Sequence, residues 1–222
     1  MRFVYHEKAL QPTIKIEGET YSHIFKVRRF DAQKPLFFRN LKDEYLYTYK
    51  VVEIGKKDAL CELVEAKHTP AKTSDLNIAW AVVEPKTVEK TLPFLNELGV
   101  RKIIFVYMKY SQRNFKLDFQ KLKRVAINSC EQCGRGDLIE FELFNSLEHF
   151  LQNYNDIGVV DFCENRLGNV KNLPKTWLVG SEGGFAQEER ERLEKFTTVG
   201  FECENTLRSE SAVVAICSKL LI

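Results

Sequence analysis

TWLVGSEGGFAQEER, Thr176–Arg190, decides how the rest of the chain is read. It starts as an apolar strand, passes through Gly180, Gly183 and Gly184, and enters a charged, helix-like run. Strand, turn and helix in that order are the unit of an α/β sheet, and ligands of such sheets sit at the carboxyl ends of strands. Three familiar glycine turns do not fit. A phosphate loop needs a lysine and Ser/Thr after its last glycine, but Phe185 and Ala186 follow here, and Glu182 would repel phosphate. The spacing is not G-x-G-x-x-G. Nor is it a nucleophile elbow, because Ser181 directly follows Gly180. Glycine still lets a backbone approach a guest closely. The turn therefore either holds a ligand that is not anionic where it meets the loop, or is a tight connection with no ligand.

The same rhythm extends backwards from this stretch. LNIAWAVV (76–83), RKIIFVYM (101–108), LIEFEL (138–143) and DIGVVDF (156–162) read as strands, and KTVEKTLPFLNELG (86–99) and DFQKLKRVAINSCEQ (118–132) as helices, the first ending at Gly99. Nearly all-apolar strands alternating with helices predict a parallel sheet. Asp161–Glu164 falls at the end of such a strand, as Gly180–Gly184 does. Ser209 or Ser211 is placed to cap a last helix. That helix carries apolar residues on nearly every side from Ala212 to Leu221, so it is expected to be buried in a core or an interface.

Residues 1 to about 70 differ. PLFFRN (35–40), EYLYTYKVVEIG (44–55) and DALCELVEA (58–66) predict strands, with a hairpin turn at Gly55–Asp58. Before them, HIFKVRRF (23–30) sets Lys26, Arg28 and Arg29 among Phe25 and Phe30. Basic residues interleaved with aromatics suit RNA, where phosphates pair and bases stack. The alternative is aromatics in the core and charges in solvent. HTPAKTSD (68–75) reads as a linker.

Of the 222 residues 44% are hydrophobic and 29% charged, which predicts a globular protein. No apolar run approaches the roughly 20 residues of a membrane span, and MRFVYHEKAL lacks a signal-peptide core. A cytoplasmic protein with reduced cysteines is expected. Cys130 and Cys133 form a lone CxxC without the further ligands zinc would want, so no metal is expected. Residues 86–135 carry a net +7 and residues 136–204 a net −8. That asymmetry offers either a basic face for a polyanion or solvated helix surfaces.

NELGV (96–100), CEQCGR (130–135), VGSEGGF (179–185) and TLRSESA (206–212) together resemble the bacterial 16S ribosomal RNA uridine-N3 methyltransferases, which are SPOUT-class S-adenosylmethionine enzymes. The family patterns are ELGV, EQ-x-x-R, GPEGGF and LR-x-ETA, and HIFKVRR resembles the family's H-x-x-VLR. Ser181 stands where proline is usual, Cys130 where alanine is, Ser211 where threonine is, and Glu202-Cys203 where a Leu-Gly pair is.

The resemblance implies an α/β fold. A PUA-like β-barrel over 1–70 would help bind RNA, and a SPOUT domain over 74–222 would end in a trefoil knot. It further implies a homodimer acting on the RNA of the small ribosomal subunit. S-adenosylmethionine would be held by Val179, Gly180, Glu182, Gly183, Gly184, Leu207, Arg208 and Ser209. A guest cationic at sulfur explains a loop with Glu182 and no lysine. Lys26, Arg28 and Arg29 are the expected RNA contacts. Uridine N3 must lose a proton, so Arg113, Arg135 and Arg208 are candidates to favour its anion and Glu131 to act as base or orienting partner. Each could equally be a phosphate contact or structural ion pair. Two other readings remain open: another SPOUT methyltransferase acting on ribose or a different base, or a non-catalytic ribosome-assembly factor that binds RNA.

Overall fold

The computed structural model describes residues 2–72 and 74–222. Thr73, inside the expected linker, lies outside the described residues. The chain forms two compact units. One takes in the chain up to Lys72 together with Ile127–Leu138, the other the stretch from Ser74 to Ala126 with Ile139–Ile222.

The first unit is built on a five-stranded sheet in the order β1-β3-β4-β5-β2. Its strands are β1 (Val4–Tyr5), β2 (Thr13–Glu17), β3 (Leu36–Arg39), β4 (Tyr45–Ile54) and β5 (Asp58–His68). Gly55 N–H donates to Asp58 O at 2.8 Å, closing the expected hairpin. β4 and β5 pair antiparallel with two register shifts, and such bulges bend a strand pair. The barrel is thus a curled sheet with β1 and β2 as its edges. Alternate residues of the strands face inward: Ile14 and Ile16 from β2, Tyr47 and Tyr49 from β4, with Phe38 and Cys61, all buried in one core.

Residues 18–27 depart from the all-β expectation. Gly18–Tyr21 (α1) is a helical turn that continues as a π-helical turn over Ser22–Val27. Phe25 and Phe30 pack against the core, while Lys26, Arg28 and Arg29 are exposed. The aromatics here are core residues and the cations face solvent.

The second unit is a six-stranded, wholly parallel sheet in the order β11-β9-β10-β6-β7-β8. Its strands are β6 (Asn77–Ala81), β7 (Lys102–Val106), β8 (Glu140–Phe144), β9 (Ile157–Val160), β10 (Thr176–Val179) and β11 (Thr197–Val199). β9 and β10 are buried at every position, which is why their sequences do not alternate. Helix α2 (Pro85–Leu98) begins with proline and ends at Gly99, whose φ is 89°. Helix α3 (Phe119–Cys133) gives its first half to this unit and its second half to the other. Helices α4 (Leu147–Asn153) and α5 (Gln187–Leu193) follow β8 and β10.

Helix α6 (Ser209–Leu221) packs on α2, β6 and β10. Neither predicted serine caps it. Arg208 holds the N-cap position without a side-chain cap, and Ser209 turns inward. Ala212, Val213, Ile216 and Cys217 are buried, while Val214, Ala215, Leu220 and Leu221 remain half-buried. Among the described residues, no helix is long and apolar enough to cross a membrane.

Candidate functional site

β9, β10 and β11 end side by side, at Val160, Val179 and Val199. The segments leaving them wall a cavity of about 280 Å³. Three stretches build it: Asp161–Cys163 after β9, the glycine turn after β10, and Gly200–Leu207 between β11 and α6. Gly184 N–H donates to Ser181 O at 2.9 Å, folding the turn on itself. Gly184 has a φ of 69°, which favours glycine, and a Cβ on Gly180 would stand 3.2 Å from the Gly184 backbone. The turn is tight because these two positions lack side chains.

Two anchors fix the turn. The Glu189 carboxylate accepts from Ala186 N–H at 2.9 Å and from Lys109 N–H at 2.7 Å, tying the start of α5 to the segment after β7. Ser209 ties the other side: its hydroxyl donates to Gly180 O and accepts from Trp80 Nε1–H at 2.8 Å. Arg190 pairs with Asp161 at 2.8 Å, and this contact raises the arginine above its ordinary pKa.

The lining has a distinct chemistry. It contains Asp161 and Glu182 but no lysine, arginine or histidine. Phe162, Phe185, Phe201 and Leu207 supply apolar wall, and Asn205 and Thr206 add polar groups. Such a cavity suits a guest with a large apolar or aromatic part and a positive centre, and disfavours phosphate.

Of the residues expected to hold the cofactor, Val179, Gly180, Glu182, Gly184, Leu207 and Ser209 line this cavity. Gly183 sits instead against Tyr110, 3.1 Å from where its Cβ would be. Arg208 is exposed at the N-cap of α6 and does not line the cavity. Among the residues expected to take part in chemistry, Arg113 belongs to the same unit. It donates to Asn145 O at 3.0 Å and lies 5.3 Å from the Tyr107 ring centre.

Glu131 and Arg135 belong to the other unit. Glu131 accepts from Tyr5 N–H at 2.7 Å, and burial pushes its carboxyl above the ordinary range. Arg135 makes a two-pronged pair with Asp137, at 3.2 and 2.9 Å. Lys26, Arg28 and Arg29 share that unit, with Arg28 Nε donating to His23 Nε2 at 2.8 Å. Cys130 is buried as a small apolar residue, its thiol against Asp137 O, while Cys133 is exposed. Among the described residues, no group of three or more His, Cys, Asp or Glu is placed to hold a metal ion.

Sequence reasoning singled out Asp161–Glu164, which includes Phe162, but not Phe201, Gly200 or Asn205. The end of β9 was a visible signal for Asp161–Cys163. Nothing periodic marks Gly200–Asn205, because the strand before it has only three residues.

The fold and cavity define a SPOUT-type protein, in which a parallel sheet carries a ligand cavity between a glycine turn and the C-terminal segment. Residues 70–221 match the RNA methyltransferase domain model, and the chain belongs to that family. It is similar to the ribosomal RNA small subunit methyltransferase E of Helicobacter pylori strain 26695, at 42% identity covering 98% of each chain. It also resembles the protein of that name from Aquifex aeolicus, at 30% identity covering 92% of each. Its fold matches the methyltransferase E of Neisseria gonorrhoeae solved with S-adenosyl methionine, with a TM-score of 0.82 at 18% identity over 99% of this chain and 96% of that one. A putative methyltransferase of Legionella pneumophila, also solved with that cofactor, gives the same TM-score at 22% identity over the same shares.

Proposed function

We propose that this protein transfers a methyl group from S-adenosylmethionine to N3 of a uridine in 16S ribosomal RNA, acting in the cytoplasm as a homodimer. It is a methyltransferase of small-subunit ribosomal RNA by its close relationship to the methyltransferase E proteins. The observation that carries the cofactor reading is the cavity lining, which has the Glu182 carboxylate, an Asp161 already paired with Arg190, aromatic walls and no lysine, arginine or histidine. A sulfonium fits there and a nucleotide phosphate does not. When bound, the cofactor supplies an electrophilic methyl group.

The chain's own residues supply position and exclusion. The Gly180–Gly184 turn lets backbone groups approach the guest. Phe185, buried in the sheet core, is placed to hold the cavity wall in position. Methyl transfer needs in-line approach at near-contact distance, so this placement serves the rate directly. The uridine N3 proton must leave, and Arg113 and Arg208 are the candidates in this unit to stabilise the resulting anion. Lys26, Arg28 and Arg29 present exposed charge to the RNA backbone. The half-buried apolar residues of α6 support pairing with a second copy.

The decisive experiment incubates the purified protein with unmodified small-subunit RNA and labelled cofactor, then maps the methyl group. Methyl at a uridine N3 is the expected result. Methyl on ribose or another base would overturn the position, and no transfer despite cofactor binding would favour an assembly factor.

A further inference from the structure

Arg39, at the end of β3, is a buried cation without an ion pair among the described residues. It is 8% exposed, and its Nε has no hydrogen-bond partner. Its terminal nitrogens reach Thr69, with Nη2 donating to the hydroxyl at 2.8 Å, and its guanidinium lies 5.6 Å from the Phe3 ring centre. The carboxylates that act on it, Asp43 and Asp137, both accept hydrogen bonds from other residues. Asp43 accepts from Asn40 and Tyr47, and Asp137 from Arg135. Buried charges are normally paired, because removing them from water is costly.

The same guanidinium lines a cavity of about 360 Å³ in the first unit. Arg2 adds a second cation, and the lining contains no carboxylate. The rest is Phe3, Phe37, Leu46, Cys133 and Gly134. Phe37 is 40% exposed, an aromatic ring open to solvent beside two cations. Two guanidiniums alone would suit any anion. Two guanidiniums beside an open aromatic and an apolar wall suit an anion carrying a flat base.

We propose that this cavity binds one nucleotide of single-stranded RNA, its phosphate on Arg2 and Arg39 and its base against Phe37 and Leu46. This deepens the RNA reading above, since it assigns a nucleotide subsite to the curled sheet, separate from the exposed cations of residues 26–29. The phosphate supplies the counter-charge that Arg39 lacks.

Cys133 is exposed in the lining and serves as a built-in reporter. Alkylation of Cys133 by iodoacetamide is followed by mass spectrometry on the full chain saturated with S-adenosylmethionine. Uridine monophosphate and a short single-stranded oligoribonucleotide should each slow it several-fold, the oligonucleotide at lower concentration. Arg2→Ala, a change at an exposed side chain, should abolish the protection.

Equal protection by inorganic phosphate would overturn the nucleotide assignment in favour of a bare anion site. Unchanged alkylation with both nucleotide probes, or protection that survives Arg2→Ala, would overturn the site altogether. Either failure would leave cofactor binding and methyl mapping untouched, so it is distinguishable from failure of the methyltransferase reading.

Discussion

Ser209 commits both of its hydrogen-bonding roles to the protein, donating to Gly180 O and accepting from Trp80. Ser209→Ala would leave a buried indole N–H and a buried carbonyl unpaired, a loss of about 1–3 kcal/mol. Thermal unfolding should show that loss, and cofactor affinity should fall because Gly180 is no longer held. An unchanged melting temperature would mean that Ser209 is not an anchor. Glu131 makes a second test at this scale. Burial raises its carboxyl pKa, so the folded state binds this proton more tightly than the unfolded one. Its contribution is fully present below the ordinary carboxylate range and is lost as pH rises through the raised value. Glu131→Gln keeps an acceptor for Tyr5 N–H and cannot ionise. Relative to the parent it should gain stability on going from pH 4 to pH 7, measured by denaturant melts. A constant difference across that range would remove the burial argument. That Gly180, Glu182 and Gly184 face a cavity followed from their place at a strand end together with the family resemblance, since the turn's chemistry alone left a ligand-free connection open. The sideways placement of Gly183 against Tyr110 was not, since only the turn's three-dimensional path decides it.

Helices with clear punctuation were legible as elements. Pro85 and Gly99 bound α2 as their backbone preferences dictate. The helical turn at 18–27 was not legible, because its short run of branched and aromatic residues carries no helical period, while Phe25 and Phe30 pack against the sheet core. β11 was missed because three residues carry no period. In α6 the apolar pattern correctly signalled burial, but the single chain covers only one face. Val214, Ala215 and Leu221 stay half-buried, which supports a second copy as their cover. Sedimentation at micromolar concentration should give about twice the 25.8 kDa chain mass. Val214→Asp should shift it towards the single-chain value while the parallel sheet stays folded by circular dichroism. A monomeric parent protein would overturn this cover for α6.

Across the whole molecule, the cofactor cavity lies within one unit and the proposed nucleotide subsite within the other. A ligand stabilises what it binds, by about 2.7 kcal/mol at a hundredfold excess over its dissociation constant. S-adenosylmethionine should therefore raise the melting of the parallel-sheet unit by roughly 5–10 °C. Hydrogen exchange should show the added protection at the ends of β9 and β10 rather than across β4 and β5. Uniform protection of both units, or none, would contradict the cavity assignment. The class of sheet was legible because fully buried strands betray parallel pairing, but its order was not. The placement of β10 between β9 and β6 depends on contacts between distant residues that no local period encodes.

The Trp80–Ser209 bond spans 129 residues, and it completes the wall that the glycine turn needs. During translation β6 and the glycine turn emerge well before Ser209 does. The nascent chain therefore cannot make this bond until Ser209 has left the ribosome and docked. A chain broken off before Ser209 would keep most of its sheet yet lack a closed cavity.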